Sequence, residues 1–275
     1  MKLSKYCALG NDYWVIHPDE KLNLNSDEVK HLCDRHNGLG GDGVLYGPLT
    51  RTASTFTLQI FNADGTLAEI SGNGLSIFAR YLHDHKWVNP HTPFNLIPSK
   101  NCTVPCQVED NAIKIQLGQA HLQSTKEYKV PEALQSTFHL PTTLTLYEVN
   151  IGNPHCVVIT EQLSENLAKA LGPLLEKHPD FPHKTNVQFA HFDRLTNSAN
   201  IEIWERGSGY TLGSGSSSCA VAFTYGHVYG LDTYTLSLKM PGGQLQVHCE
   251  HGVCSFYNQV THVADIELTK CPEII

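Results

Sequence analysis

The chain has 275 residues, 41% hydrophobic and 17% charged, with 21 Gly and 14 Pro spread along it. That is ordinary globular usage, which excludes a collagen, a coiled coil or a disordered chain, and the length suits about two domains that each bury a core. With 19 Lys+Arg against 27 Asp+Glu the formal charge is −8 and no basic run could neutralise a phosphate backbone, so no nucleic-acid partner is expected. The N-terminus, Met1-Lys2-Leu3-Ser4-Lys5-Tyr6-Cys7, lacks the apolar stretch of a signal peptide, and no apolar run of about 18 residues occurs. A cytoplasmic protein with no membrane partner is the expectation. Nine Cys form an odd number without framework spacing, as reduced thiols would.

In chain order, a helix is expected over about residues 27–36. Gly38-Leu39-Gly40-Gly41-Asp42-Gly43 follows it and matches a dinucleotide-binding pattern, but a helix precedes and the apolar Val44-Leu45-Tyr46 follows, the reverse of strand-turn-helix. It reads as a turn of glycines with φ > 0. Phe56-Thr57-Leu58-Gln59-Ile60 alternates as a strand, and a helix is expected over 74–86. Cys102 and Cys106, like His83 and His85, lack a second ligand pair at zinc-finger spacing and read as surface polar residues. Ala112-Ile113-Lys114-Ile115-Gln116-Leu117 is a further strand, and the polar stretch 118–130 after it reads as a domain boundary. Helices over 162–176 and 216–229 and a strand at Thr235-Leu236-Ser237-Leu238-Lys239 complete an α+β pattern with antiparallel or mixed sheets. The domains are then residues 1–118 and 119–261, with a last strand, about 262–275, returning to the first.

Segment 61–79 lies over segment 204–222 without a gap, at a constant offset of 143 residues. Few residues are identical, but the plan repeats: a strand ending in an aromatic, a polar turn, then Ser71-Gly72-Asn73-Gly74 or Ser214-Gly215-Ser216-Ser217 opening an apolar helix. Such a turn presents free N–H groups and the positive end of the helix dipole, a seat for an anion. Two such seats would hold one carboxylate, with Ser71 and Ser214 on opposite sides of the adjacent carbon, the geometry of a two-base isomerase. Taken singly, each serine is explained as an ordinary N-cap. A serine hydrolase would need a nucleophile elbow, and no G-x-S-x-G occurs, leaving Ser214 with His155 and a carboxylate as a minor alternative.

Leu9-Gly10-Asn11-Asp12, Phe61-Asn62-Ala63-Asp64-Gly65, Ser71-Gly72-Asn73-Gly74, Gly152-Asn153-Pro154-His155-Cys156, Thr185-Asn186-Val187 and Glu205-Arg206-Gly207 together resemble the diaminopimelate epimerase family, in order and spacing, across nearly the whole chain. The resemblance implies two pseudo-symmetric domains, each a sheet wrapped around a central helix. It implies interconversion of LL- and meso-diaminopimelate by two-base proton transfer at the α-carbon, in the lysine and peptidoglycan precursor pathway, with no cofactor and no metal. The partner is then a small-molecule amino acid, and the sequence leaves a homodimer open. Asn11, Asn62, Asn153, Asn186, Glu205 and Arg206 would surround the substrate, Arg206 as a bidentate carboxylate fork. Gly72, Asn73, Gly215 and Ser216 would take the α-carboxylate, and His155 and Glu205 would orient the two catalytic positions, Ser71 and Ser214.

The same resemblance puts a Cys pair where Ser71 and Ser214 stand. A thiol of pKa about 8.5 can be drawn towards neutrality by a helix N-terminus, whereas an alcohol lies near water's value of about 15.7. Weak or absent epimerase activity is therefore expected, with binding retained. An engineered double substitution would explain the serines, and so would natural divergence. The serine-rich Gly213–Ser218, Ser76-Ile77 in place of a frequent Arg-Cys, Gly43 in place of a glutamine, and Tyr257-Asn258-Gln259-Val260 in place of Thr-Gly-Pro-Ala favour divergence. A diverged chain could be a racemase or dehydratase of the same fold, with His155 as the base, or a non-catalytic amino-acid-binding relative.

Overall fold

A computed structural model describes residues 1–17, 24–68, 70–99 and 102–268. The chain forms two compact units, Met1–Ile115 with Asn258–Ile275, and Gln116–Tyr257.

The first unit begins with β1 (Lys2–Ala8), β2 (Asn11–Ile16), α1 (Ser26–Cys33), β3 (Gly43–Tyr46), β4 (Thr55–Thr57), β5 (Gln59–Asn62), β6 (Leu67–Ala68) and α2 (Gly72–Asp84). β7 (Phe94–Ser99), β8 (Cys102–Val108) and β9 (Ile113–Gln119) follow, the last running into the second unit. One sheet has the order β1-β2-β3-β5-β6, with the late strand Thr261–Glu267 added antiparallel beside β1; the other runs β9-β8-β7-β4. Residues 269–275 of the expected last strand lie outside the described residues. Helix α2 is the centre of this unit because it is apolar on most of its circumference: Leu75, Ile77, Phe78, Ala79, Tyr81 and Leu82 are all buried, and it packs against β1, β2 and β8.

The second unit continues with β10 (His121–Lys129), α3 (Glu132–Phe138), β11 (Thr143–Asn150), β12 (Pro154–Ile159), α4 (Glu165–Glu176), β13 (Asn186–Asp193), β14 (Ser198–Glu205) and β15 (Gly209–Thr211). Then come α5 (Gly215–Tyr229), β16 (Thr233–Met240), β17 (Gly243–Glu250) and β18 (Val253–Asn258). Its strand order is β10-β11-β12-β13-β14-β16-β17-β18, with β15 paired to β14. Helix α5 is buried from Gly215 and Ser217 to Gly226 with few breaks and packs against β11, β12, β13, β16 and β17. Helix α4 packs against β13, β14 and β15 through Leu167, Ala168, Leu171 and Leu175.

Mixed β-structure thus encloses one buried helix in each unit, the α+β class expected. The repeat extends to hydrogen-bond register: Phe61 pairs with Leu67 and Ile60 with Ala68 as Trp204 pairs with Tyr210 and Ile203 with Thr211. The following helices begin at Gly72 and Gly215, and every one of these positions is 143 residues from its counterpart.

Several local expectations are corrected. The helix expected to residue 36 ends at Cys33, because Asp34 is extended and its carboxylate accepts the N–H groups of His36 and Asn37 (2.7 Å each) that would have continued the helix. Residues 121–129 of the polar boundary stretch form β10. The run 56–60 is interrupted at Leu58, between β4 and β5. Within 38–43 only Gly40 has positive φ (72°). Gly38 and Gly43 are glycine for lack of room, a Cβ meeting the carbonyl of His31 or of Phe61 respectively. Cys106 belongs to the core of β8, its thiol bonded to the Val104 carbonyl, and the His85 ring packs, tilted, against Tyr81 and Trp87. No helix among the described residues is long and apolar enough to cross a membrane.

Candidate active site

In the first unit the seat is the N-terminus of α2. Ser71 caps it with extended φ/ψ (−140°, 115°), and its Oγ accepts the Gly74 N–H at 3.1 Å, with Gly72 and Asn73 in the same first turn at the positive end of the dipole. Asn73 is buried among amides: its Nδ2 donates to Asn11 Oδ1 (2.6 Å) and its Oδ1 accepts from Asn258 Nδ2 (3.3 Å). Asn11 in turn donates to Asp42 Oδ2 (3.2 Å), which also takes the Asp12 N–H (3.0 Å). Asp12 is clamped by Arg35 and Lys5; burial pushes its carboxyl up, but these two cations outweigh it and hold it below the usual carboxylate range. Asn11, Ser71, Gly72 and Asn73 are therefore brought together. Asn62 is exposed, its Nδ2 held in its own turn by Thr66 Oγ1 (3.0 Å), the turn chemistry that alone would explain it.

In the second unit three neighbouring strands deliver their residues to the start of α5. β12 and β13 run parallel with His155 opposite Asn186, and β13 pairs with β14, which ends at Glu205. Asn186 ties this edge together: its Nδ2 donates to the Pro154 carbonyl (2.9 Å) and its Oδ1 accepts the Arg206 N–H (2.9 Å). The Arg206 guanidinium is exposed apart from one bond to the His183 carbonyl (3.3 Å). Ser214 caps α5 with extended φ/ψ (−151°, 127°), accepting the Ser217 N–H at 3.5 Å, with Ser216 Oγ 3.4 Å away. Glu205 interacts with Ser214 and with Thr211, whose hydroxyl donates at 3.3 Å. Burial raises the Glu205 carboxyl above its ordinary value, and these two hydroxyls oppose the rise.

His155 is 0% exposed, and burial lowers its pKa to about 4, so at neutral pH its ring is uncharged. Its Nε2 lies 2.9 Å from Asn153 Oδ1. Ser214 and His155 share no hydrogen bond among the described residues, so the triad alternative lacks its base.

Three residues that sequence reasoning passed over complete the two seats. Gln188 is fully buried beside His155, and its Nε2 donates to Ser217 Oγ (3.0 Å), linking the histidine to the first turn of α5. Glu176, buried at the end of α4, accepts from Trp204 Nε1 (2.8 Å) and the Gly207 N–H (3.2 Å) and so fixes the loop carrying Arg206. The Tyr13 hydroxyl lies 3.3 Å from Ser71 Oγ. The signal for Gln188 is an amide set between the apolar Val187 and Phe189 of one strand; Tyr13, between Asp12 and Trp14 in a strand, carries none.

The family model for diaminopimelate epimerase matches residues 3–123 and 147–256. The chain belongs to the diaminopimelate epimerase family. Diaminopimelate epimerase 2 of Nostoc sp. is 41% identical over 278 residues, covering 98% of this chain and 96% of that one. The diaminopimelate epimerase of Synechocystis sp. is 30% identical over 261 residues, 90% of each chain. Among solved structures, a phenazine biosynthesis protein of Bacillus anthracis superposes with TM-score 0.71 at 12% identity, covering 98% of this chain and 99% of that one. A hydroxyproline epimerase from Agrobacterium vitis does so with TM-score 0.67 at 13% identity, covering 97% and 91%. At those identities the likeness is one of fold. Family membership accords with the repeat, with two helix seats in register and one serine capping each.

Proposed function

We propose that this chain acts on diaminopimelate, interconverting its LL and meso forms through removal and return of the α-proton, without a cofactor. The observation that supports the reading is the seat of the second unit, where Glu205 at the end of β14 meets Ser214, the cap of α5, while Asn186 ties the start of β12 to the Arg206 backbone. The N–H groups of Gly215 and Ser216, and of Gly72 and Asn73 in the other unit, suit a carboxylate whose charge grows as the α-proton leaves. Arg206, with its guanidinium accessible, suits the carboxylate at the non-reacting end, and Asn153 the polar groups beside it. His155 orients Asn153; fully buried, and with its pKa lowered to about 4 by burial, it is poorly suited to take up the α-proton. Glu205, held above its ordinary pKa next to Ser214, is better placed to take up a proton through that hydroxyl.

On this reading Ser71 and Ser214 stand where the family carries thiols, and turnover is slow because an alcohol is a far weaker acid than a thiol. The serine pair also supports a second reading, amino-acid binding without turnover. Proton NMR in D2O of LL- and meso-diaminopimelate with the protein, beside calorimetric titration of both, separates them. Binding with slow α-proton loss supports the first reading, binding alone the second, and neither event rejects diaminopimelate as the substrate.

A further inference from the structure

Two of the buried thiols stand opposite each other. β17 and β18 form an antiparallel hairpin whose turn is His251 and Gly252, both with positive φ (49° and 82°), the conformation that suits a two-residue loop. Glu250 and Val253 close the turn, and Cys249 pairs with Cys254 one step further along. Pairs in an antiparallel ladder alternate, and the pair next to the hydrogen-bonded one at the turn is the close kind, with Cα atoms about 4.5 Å apart. A disulfide spans Cα separations of about 4.4–6.8 Å. Both side chains enter the core from the same face of the hairpin, Cys249 1% and Cys254 0% exposed, with their sulfur atoms 2.8 Å apart. Both are free thiols.

From this register we infer that Cys249 and Cys254 are a reversible disulfide site, oxidised by peroxide without rearrangement of the strands. One sulfur, as its thiolate, attacks a peroxide oxygen; the O–O bond breaks, leaving a sulfenic acid and a hydroxide that takes the proton the thiol released. The second sulfur attacks the first, the S–S bond forms, and the sulfenic oxygen leaves as water with the second thiol's proton. Two thiols lose two electrons and hydrogen peroxide becomes two waters. A dithiol such as dithiothreitol reverses the change by exchange. A sulfenic acid formed at a solitary cysteine has no such neighbour to stop its further, irreversible oxidation.

The surroundings suit this chemistry. Contact with Cys254 lowers the Cys249 thiol below its ordinary value, against the effect of burial, whereas burial pushes up the separately placed Cys106 and Cys156. A thiolate is thus reached more easily in the pair than at those two positions. A cleft of about 310 Å³ opens beside the hairpin. It is lined by Tyr234, the cross-strand partner of Cys249 on β16, and by Gly252, whose carbonyl lies 3.8 Å from Cys254 Sγ. A small oxidant in that cleft meets the residues that enclose the pair. β17 also packs against α5, the helix that Ser214 caps, so the bond staples the sheet beneath that helix and uses none of the serine-capped seat.

The test treats the unaltered protein with hydrogen peroxide at neutral pH, then blocks remaining thiols with N-ethylmaleimide in denaturant. A glutamate-specific protease cleaves after Glu250, so Cys249 and Cys254 stay on one species in the mass spectrum only when bonded to each other. That linked species is expected, with labelling at 249 and 254 lost at least about 10-fold faster than at Cys106 and Cys156 and restored by dithiothreitol. Cys254→Ala is expected to abolish it without linking Cys249 to another thiol. Full labelling of Cys249 and Cys254 after the partly exposed Cys7 and Cys102 have been oxidised overturns the inference. So does a bond from either residue to Cys219, or a linked pair that forms only when peroxide meets the unfolded chain. The unaltered protein decides the matter even where Cys254→Ala fails to fold.

Discussion

The seats of α2 and α5 are built on one backbone plan and differ in what stands beside the serine. Both caps are extended, both accept the N–H three residues on, and both follow a two-strand turn in the same register. Beside Ser71 is a phenol, and behind it the amide chain Asn11, Asn73 and Asn258, with no carboxylate bonded to the serine among the described residues. Beside Ser214 is Glu205, with the buried pair His155 and Gln188 behind Ser217. Backbone geometry fixes where an anion can sit, while the side chains decide which proton can move there. A duplicated scaffold can therefore keep its symmetry in hydrogen-bond register and lose it in chemistry.

The largest expected effect comes from removing the charge on one side of that comparison. Glu205→Gln keeps the bond from Thr211 but cannot take a proton, and α-proton exchange should fall about 10²–10⁴-fold, read by NMR in D2O. An unchanged rate would place the working base of the second seat elsewhere.

A smaller effect separates the units by pH. His155 is neutral when folded, with pKa about 4, against about 6.5 for an exposed histidine. Below pH 6.5 the unfolded chain gains a proton that the folded chain refuses, so stability is lost as pH falls from about 6.5 to about 4 and is undiminished above that window. The loss should reach about 2 kcal/mol by pH 5, read by urea unfolding at pH 7 and pH 5, and confined to the second unit. A midpoint independent of pH across this range would mean that His155 is charged or solvated in the fold.

The smallest effect compares the caps themselves. Ser71→Ala should cost about 1 kcal/mol of stability, as loss of an N-cap usually does. Ser214→Ala should cost less, because its cap bond is long (3.5 Å against 3.1 Å) and Ser218 Oγ also bonds the Ser214 carbonyl at 2.8 Å. Thermal unfolding of the two variants checks the order.

What the sequence reveals of this molecule follows from how strongly each element signals. Helices α2 and α5 are legible because a serine followed by glycine opens an apolar run, and the gapless repeat makes them corresponding elements. Helix α3 gives no such sign: its N-cap is Pro131, no side chain caps it, and none of its residues is buried. Strand β10 reads as a polar connector because its inward positions are only half-buried, so Ser124 and Lys126 serve there as well as apolar residues would. In the site, asparagines in short polar blocks are recognisable, whereas Tyr13 is hidden in Asn11–Ile16, where an aromatic reads as core. Its place beside Ser71 is visible only once the strand beside it is known to carry a glycine with no room for a side chain.

The central claim is that both seats belong to an epimerase slowed by its serines, and the most direct test is epimerisation of diaminopimelate by Ser71→Cys/Ser214→Cys beside the unaltered protein. The account predicts a gain of at least about 10² in rate for the double variant, with little change in affinity, since the thiols would meet the same helix N-termini. A double variant that folds and binds diaminopimelate but epimerises no faster than the serine protein would contradict it.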